Sequence, residues 1–194
     1  MKASRHPNPL PRVGEGERPA PWLQTLRVEM REFTRADFDD LLRLDGDPRV
    51  TKFVNQGKRS SPKDIDAQLA RAAATYRTYY GLGAWYATRR DTGAFIGWFA
   101  LKHCPPTCDV EIGYRLRHEA WGQGFATEGA TELVRYGFDD LGLDRIIGVT
   151  ERGNRASQRV LLKAGLRDAG YGNYYSRRLR LFVAERAARP DVET

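Results

Sequence analysis

The chain has 194 residues, which is enough for one domain of ordinary size with a buried core. Its composition, 41% hydrophobic and 29% charged, is typical of a globular protein in water, and no apolar run approaches the roughly 20 residues of a membrane span. The formal net charge of +7 is compatible with a nucleic-acid partner, but the basic residues are spread from Arg27 to Arg189 without an aromatic-basic motif. We therefore expect neither a membrane protein nor a nucleic-acid-binding protein.

The first part of the chain differs in composition from the rest. Met1 to Pro21 are rich in proline, glycine and charge, and no apolar stretch follows the first basic residues, so a secretory signal is not predicted. We expect a flexible arm over residues 1–23, one domain over residues 24–186 and a short tail over residues 187–194. A cytoplasmic location follows from the missing signal.

Strand-like and helix-like periodicities alternate along the remaining chain. Thr34 and Ser61 each begin a cap pattern that predicts a helix start, and the turn 91–93 predicts an antiparallel hairpin. The predicted strands are 26–31, 84–88, 94–101, 110–116, 145–150 and two within 166–184 around Asn173, and the predicted helices are 34–46, 62–80, 127–140 and 154–164. This order is typical of a mixed α/β fold in which helices pack on a central sheet.

The two cysteines, Cys104 and Cys108, lie in the segment His-Cys-Pro-Pro-Thr-Cys. A structural zinc site needs four ligands, and no second Cys or His pair occurs elsewhere in the chain. A reducing compartment also disfavours a disulfide between them. We expect two loop residues and no metal site.

The most informative segment joins the predicted strand 110–116 to the following helix. It reads Trp121-Gly122-Gln123-Gly124-Phe125-Ala126-Thr127-Glu128. Glycines in such a turn allow positive φ and close approach of the backbone, and the free N–H groups at a helix N-terminus favour an anion such as pyrophosphate. A Gly-x-Gly turn alone is a weak signal, because many turns select glycine.

The same segment closely resembles the cofactor motif of the GNAT superfamily, and in particular its RimJ/RimL-like branch, which includes ribosomal-protein N-terminal acetyltransferases. The segment from Asn154 to Leu166 resembles a second motif of that branch, Asn-x-x-Ser-x-x-x-Leu-x-Lys-x-Gly-Phe. A weaker match covers residues 26–42 with Asp47-Pro48, so the resemblance extends over about residues 26–183. Gly129 stands where the branch usually has Ala, and Leu166 replaces the usual Phe, which we expect to affect local packing only.

The resemblance implies the GNAT fold, an α/β (mixed α+β) fold with a mostly antiparallel splayed sheet of about seven strands and about four helices. It implies an acetyltransferase with acetyl-CoA as cosubstrate, bound where the sheet splays, and without a metal. The residues that the resemblance places at the cofactor are Leu116, Arg117, Gly122, Gln123, Gly124, Phe125, Ala126, Thr127 and Asn154.

Acetyl transfer to an amine needs a base for the amine and a proton source for the leaving thiolate. By resemblance Glu111 is the candidate base, acting through a water, and its alternative is a solvated carboxylate paired with an arginine across the sheet. Ser157 is the candidate donor near the sulfur, and its alternative is an exposed hydroxyl on a helix. Tyr114 is a further candidate donor whose alternative is packing in the core.

The acceptor is expected to be a primary amine, and the branch points to the α-amine of a peptide or protein. An α-amine with a pKa of about 7.7–8.0 is partly neutral in the cell, whereas a lysine at about 10.4 is not. A small-molecule amine (aminoglycoside, polyamine or amino acid) is the first alternative, and a non-catalytic acetyl-CoA-binding module is the second. The positive net charge favours a neutral or acidic acceptor. The sequence leaves a homo-oligomer open.

Overall fold

The computed structural model describes residues 22–54, 57–104 and 107–186, which form one eight-stranded sheet and five α-helices. The strands are β1 (Leu23–Gln24), β2 (Val28–Glu32), β3 (Gly83–Arg89), β4 (Phe95–His103), β5 (Val110–Leu116), β6 (Arg145–Thr150), β7 (Arg167–Tyr174) and β8 (Arg177–Glu185). The helices are α1 (Phe38–Gly46), α2 (Pro48–Thr51), α3 (Pro62–Thr78), α4 (Phe125–Asp139) and α5 (Arg155–Lys163). The predicted fold class is confirmed, with one strand and one helix more than expected.

The sheet is antiparallel except at its centre. Its strand order is β1-β2-β3-β4-β5-β6-β8-β7, and β5 and β6 are the parallel pair, joined by the crossover helix α4. These two strands pair only at Val110 with Ile146 and at Glu111 with Ile147. Beyond this point β5 and β6 are no longer paired with each other, so the sheet splays open between them.

The helix starts follow the capping patterns in the sequence. At α3, Ser61 and Asp64 form a reciprocal capping box, with Pro62 at the first helical position. At the predicted first helix, the Asp37 carboxylate accepts a hydrogen bond from the Thr34 N–H group at 2.7 Å. The turn Arg35–Asp37 is a 3₁₀-helix, and therefore α1 begins only at Phe38.

The two faces of the sheet carry different helices. Alternate residues of β5, such as Ile112 and Tyr114, belong to the main core, which packs against α4 and α5. The intervening residues Glu111 and Arg115 therefore face the opposite side, where α1 and α3 pack on β3 and β4. The central opening is thus accessible to groups from both faces.

Several boundaries differ from the predicted ones. Trp22 stacks on Trp85, with ring centroids 4.0 Å apart and planes at 3°, and Leu23 begins β1. Trp22 and Leu23, which the predicted boundary at residue 24 assigns to the arm, therefore pack against the main core. The predicted arm up to residue 21 and the predicted tail, residues 187–194, lie outside the described residues.

The helix α2 and the position of the last turn were not predicted. α2 is a single turn capped by Asp47, whose carboxylate accepts a hydrogen bond from the Arg49 N–H group at 2.8 Å. β7 and β8 are connected at Tyr175-Ser176, and not at Asn173, which lies within β7.

Gly129 has a specific packing role that the sequence comparison did not reveal. It is buried in α4, and a Cβ atom built at this position would lie 2.4 Å from the ring of Phe99. The Phe99 ring thus fills the space that an alanine methyl group would need. Leu166, the second departure from the branch pattern, is 2% exposed and belongs to the main core.

Candidate active site

The glycine-containing turn before α4 has the geometry of an anion-binding site. Gly122 and Gly124 have φ of +73° and +86°, the left-handed region that favours glycine, and Gly124 is the N-cap of α4. A Cβ atom at Gly122 would meet nothing within 4 Å, and at Gly124 it would meet only the Nη2 atom of Arg27, at 3.2 Å. The backbone here is open to a ligand, and the first-turn N–H groups of residues 125–127 have no acceptor within a regular helix. These features fit a pyrophosphate.

This turn is held in place by a carboxylate outside the expected binding residues. Glu128 accepts hydrogen bonds from the Thr25 hydroxyl at 2.5 Å and from the Arg27 backbone N–H group at 2.7 Å. Arg27 also donates to the carbonyl of Gln123 at 3.0 Å, and the Gln123 amide donates to the Glu119 carbonyl at 2.6 Å. Burial would raise the pKa of Glu128, but the hydrogen bonds from Thr25 and Arg27 hold it below the ordinary value.

The other expected cofactor residues border the opening between β5 and β6. The carbonyl of Leu116, at the end of β5, accepts a hydrogen bond from the Trp121 indole at 2.9 Å, and Arg117 follows directly. On the other side, Asn154 caps α5 by accepting a hydrogen bond from the Ser157 N–H group at 3.1 Å. Phe125, in contrast, is 3% exposed, so its side chain is a core residue and only its backbone can reach a ligand.

The two candidate proton donors lie in direct contact. The hydroxyl groups of Tyr114 and Ser157 are 3.0 Å apart, and the Tyr114 hydroxyl also donates to the Ser157 carbonyl at 3.1 Å. This contact connects β5 to α5 on the face of the sheet that carries α4. Burial raises the pKa of Tyr114, so its hydroxyl group keeps its proton across the neutral range.

Glu111 lies on the opposite face and is buried. Its carboxylate accepts a hydrogen bond from the Tyr175 hydroxyl and lies 3.7 Å from the Nζ atom of Lys102. Burial and the charge of Glu111 both raise the pKa of Tyr175, which therefore stays protonated. The alternative of a solvated carboxylate paired with an arginine is wrong, because Glu111 is 7% exposed and its cationic neighbour is a lysine.

Tyr175 reaches Glu111 from a strained turn. Tyr175 and Ser176 have φ of 53° and 56°, and they form the two-residue connection between Tyr174 and Arg177. The left-handed conformation costs a residue with a side chain roughly 1–2 kcal/mol. The Tyr175 hydroxyl also accepts a hydrogen bond from Lys102 at 3.2 Å. No local pattern in the sequence indicated these contacts, because Tyr175 lies 64 residues from Glu111 and Lys102 reaches it from the neighbouring strand β4.

Both cysteines lie in the loop after β4, as expected, and Cys104 is buried near Glu111 and Tyr175. Cys104 is fully buried, and its thiol interacts with the side chains of both Glu111 and Tyr175. Burial raises the pKa of the Cys104 thiol. The described part of the chain contains no group of three or more His, Cys, Asp or Glu side chains that could hold a metal ion.

A cavity of about 820 Å³ lies between α3 and the sheet, and its lining includes Lys102, whose Nζ atom lies 3.7 Å from the carboxylate of Glu111. In the sheet, Trp98 of β4 lies opposite Arg115 of β5, and Lys102 of β4 lies opposite Glu111 of β5. Because Trp98, Arg115 and Lys102 line the cavity, it runs along these two strands as far as the neighbour of Glu111. Its lining residues are Asp45, Lys58, Arg59, Ser60, Asp64, Gln68, Arg71, Ala72, Thr75, Tyr79, Gly83, Ala84, Trp98, Ala100, Lys102, His103 and Arg115. The cavity therefore extends along the sheet on the Glu111 face towards the splayed strands.

Comparison with known proteins assigns the fold and site to a family. The sequence profile of the acetyltransferase (GNAT) domain matches residues 27–167. The chain belongs to the GNAT family and is an acetyl-CoA-dependent acetyltransferase. None of the helices in the described residues is both long enough and apolar enough to cross a membrane.

Two relatives are 34% identical to this chain. One is the FsC-acetyl coenzyme A-N(2)-transacetylase of Aspergillus fumigatus, matched over 157 residues that cover 75% of this chain and 65% of the fungal protein. The chain thus spans less than two thirds of that relative. The other is the uncharacterized N-acetyltransferase YoaA of Bacillus subtilis, matched over 160 residues that cover 80% of this chain and 88% of YoaA.

Solved structures share the fold at lower identity. An acetyltransferase of Agrobacterium tumefaciens is 23% identical with a TM-score of 0.75, covering 90% of this chain and 99% of that one. RimJ of Mycobacterium smegmatis, in complex with CoA-disulfide, is 18% identical with a TM-score of 0.67 and covers 81% of each chain. The aminoglycoside acetyltransferase AAC(6')-Ib is 19% identical with a TM-score of 0.69, covering 82% of this chain and 95% of that one. A protein named as an aminoglycoside acetyltransferase therefore shares this architecture with RimJ.

Proposed function

We propose that this acetyltransferase modifies the α-amine of a peptide or protein N-terminus. The observation that carries the proposal is the cavity of about 820 Å³ between α3 and the sheet. Ligand pockets span about 300–1,000 Å³, and a volume near the upper end suits several residues of a peptide better than one small amine. An excess of cationic side chains in its lining also disfavours polycations such as aminoglycosides and polyamines.

In this proposal the cofactor lies across the opening between β5 and β6. The backbone N–H groups of residues 122–127 hold the pyrophosphate, with Leu116 and Arg117 on one side of the pantetheine and the Asn154 amide on the other. Acetyl-CoA supplies an activated thioester. The enzyme would act in the cytoplasm.

The two faces of the sheet then have separate proton-transfer roles. Glu111, on the cavity side, accepts a proton from the attacking amine through a water, while the new C–N bond forms. Tyr114 and Ser157, on the α4 side, donate a proton to the sulfur as the C–S bond breaks. Since side chains of β5 alternate between the faces, this strand positions Glu111 and Tyr114 on opposite sides of the reacting group.

An α-amine is the acceptor that this base can activate most readily. With a pKa of about 7.7–8.0 it is partly neutral already, whereas a lysine side chain at about 10.4 would need a much larger shift. A small-molecule amine is the second candidate, since the fold is shared with the aminoglycoside acetyltransferase AAC(6')-Ib.

The test is a competition assay with purified full-length protein and mass spectrometry of the products. The acceptors are short peptides with free N-termini, the same peptides N-blocked but containing lysine, and a panel of aminoglycosides, polyamines and amino acids. We expect acetylation of the free N-termini. Acetylation confined to N-blocked lysine peptides or to the small amines would contradict the proposal.

A further inference from the structure

The cavity between α3 and the sheet has an unbalanced charge. Five cationic side chains and two carboxylates line it. The cations are Lys58, Arg59, Arg71, Lys102 and Arg115, and the lining carboxylates are Asp45 and Asp64. A cleft with an excess of one sign concentrates ligands of the opposite sign.

The two lining carboxylates already have partners, whereas the cations Lys58, Arg59 and Arg71 form no salt bridge within the described residues. Asp45 lies 2.5 Å from Arg115, and both side chains are buried. Asp64 accepts hydrogen bonds from the backbone and the hydroxyl of Ser61, and these bonds lower its pKa. The charges of these three cations are available to a ligand.

Two buried donors in the same lining also lack an acceptor. The indole Nε1 of Trp98 and the Nε of Arg115 have no hydrogen-bond partner among the described residues. The Arg115 guanidinium lies over the Trp98 ring, 5.3 Å from its centroid, so the two donors belong to one part of the cavity. A buried donor without an acceptor is unfavourable, and a ligand oxygen would satisfy it.

We propose that the acceptor peptide carries a carboxylate close to its α-amine, and that this cavity binds it. Arg115 and Trp98 offer buried donors to the carboxylate oxygens, while Lys58 and Arg59 supply the charge at the rim. This inference rests on the proposed function, because the carboxylate belongs to the peptide whose α-amine reaches Glu111. An acidic residue among the first few of the peptide therefore makes it a better substrate than its neutral counterpart.

The test compares matched peptides on the full-length enzyme. The pairs share one sequence and differ only by Asp or Asn, or by Glu or Gln, near the free N-terminus. We expect a kcat/KM about tenfold higher for the acidic member, the effect of two partly exposed ion pairs, and the preference should fall as salt is added.

Two variants and one control assign the preference to the cavity. Replacing both rim cations, Lys58→Gln with Arg59→Gln, should lower kcat/KM about tenfold for acidic peptides and less than twofold for their amide partners. Trp98→Phe keeps an aromatic side chain but removes the indole N–H donor, and it should reduce the same preference for acidic peptides. The control Lys63→Gln with Arg77→Gln alters two exposed α3 residues outside the cavity lining and removes the same net charge.

The outcomes separate this inference from the proposed function. Equal turnover of acidic and neutral peptides, or an equal loss in the control, would overturn the carboxylate site and leave the α-amine acceptor standing. Turnover of small amines without any peptide would overturn both.

Discussion

The hydroxyl group of Tyr175 donates a hydrogen bond to the carboxylate of Glu111, 64 residues away in the chain. Because β6 lies between β5 and β8 in the sheet, the tip of the β7–β8 hairpin must reach past one strand to make this contact. The strained turn at Tyr175 is therefore maintained by contacts at the candidate base. Tyr175 positions the carboxylate next to the acceptor cavity.

Tyr175→Phe should lower kcat about tenfold or more, because a hydrogen bond to a charged group contributes roughly 1.5–3 kcal/mol. The Michaelis constant for acetyl-CoA should not change, since the tyrosine lies on the acceptor side. Steady-state kinetics with each substrate varied in turn measures both. Tyr171→Phe, on the same hairpin but exposed, is the matched control and should retain the wild-type kcat. An unchanged kcat in Tyr175→Phe would exclude the positioning role.

Glu111→Gln should reduce turnover by about 10²- to 10⁴-fold, the range for loss of a positioned base. The amide can still accept the hydrogen bond from Tyr175, so folding is preserved. Raising the pH from about 7 to about 9 should restore part of the rate, because the α-amine loses its proton without help above about 7.7–8.0. Rates across this range, with CoA affinity measured by calorimetry, check both points. A deficit that stays constant with pH would indicate positioning instead of proton removal.

Tyr114→Phe should lower kcat about 10²-fold, and Ser157→Ala should lower it less, since Tyr114 remains as a donor. Burial raises the pKa of Tyr114, so the proton is present below that value and would be lost only as the pH rises through it. Deprotonation of Tyr114 should therefore not lower kcat at neutral or mildly alkaline pH. Because the two hydroxyl groups touch, a double-mutant cycle should give non-additive losses. Full additivity would mean that they act independently.

Gly124→Ala should weaken CoA binding by about tenfold or more, because the added methyl group hinders the approach of the pyrophosphate to the backbone N–H groups of this turn. Gly142→Ala is the matched control after the other end of α4. Its φ is +74°, and a Cβ there meets only Arg186 at 3.5 Å. Calorimetric titration should show a loss for Gly124→Ala alone, while both variants lose similar stability. Equal CoA affinity in the two would place the pyrophosphate elsewhere.

Local patterns in the sequence were sufficient for most of the fold. The bounds of β5 and β6 were predicted without error, because their apolar residues recur with a clear period and turn signals flank them. The two-residue β1 and the single-turn α2 are too short for any periodicity. The last turn was misplaced because Asn173 is a common turn residue, whereas tyrosine is not.

The site was predictable to the extent that its residues are neighbours in the chain. The turn before α4 combines glycine spacing with a following helix, so a pyrophosphate site could be proposed from this one segment. The partners of Glu111, in contrast, come from β4 and from the hairpin after β7, and no local pattern links them to β5. Burial of the carboxylate depends on those contacts, and hence the sequence left its environment open.

The three hydrogen bonds that Glu128 accepts from Thr25 and Arg27 have a consequence for the N-terminal hairpin. They join the β1–β2 turn to the first turn of α4, so any ligand that orders this turn also opposes opening of the hairpin. Coupling free energies are reciprocal, and the hairpin must therefore strengthen ligand binding by the same factor. Amide deuterium exchange across residues 23–32 should slow when CoA is added, although no atom of these strands needs to touch it. Deuterium exchange in β1 and β2 therefore indicates whether CoA is bound.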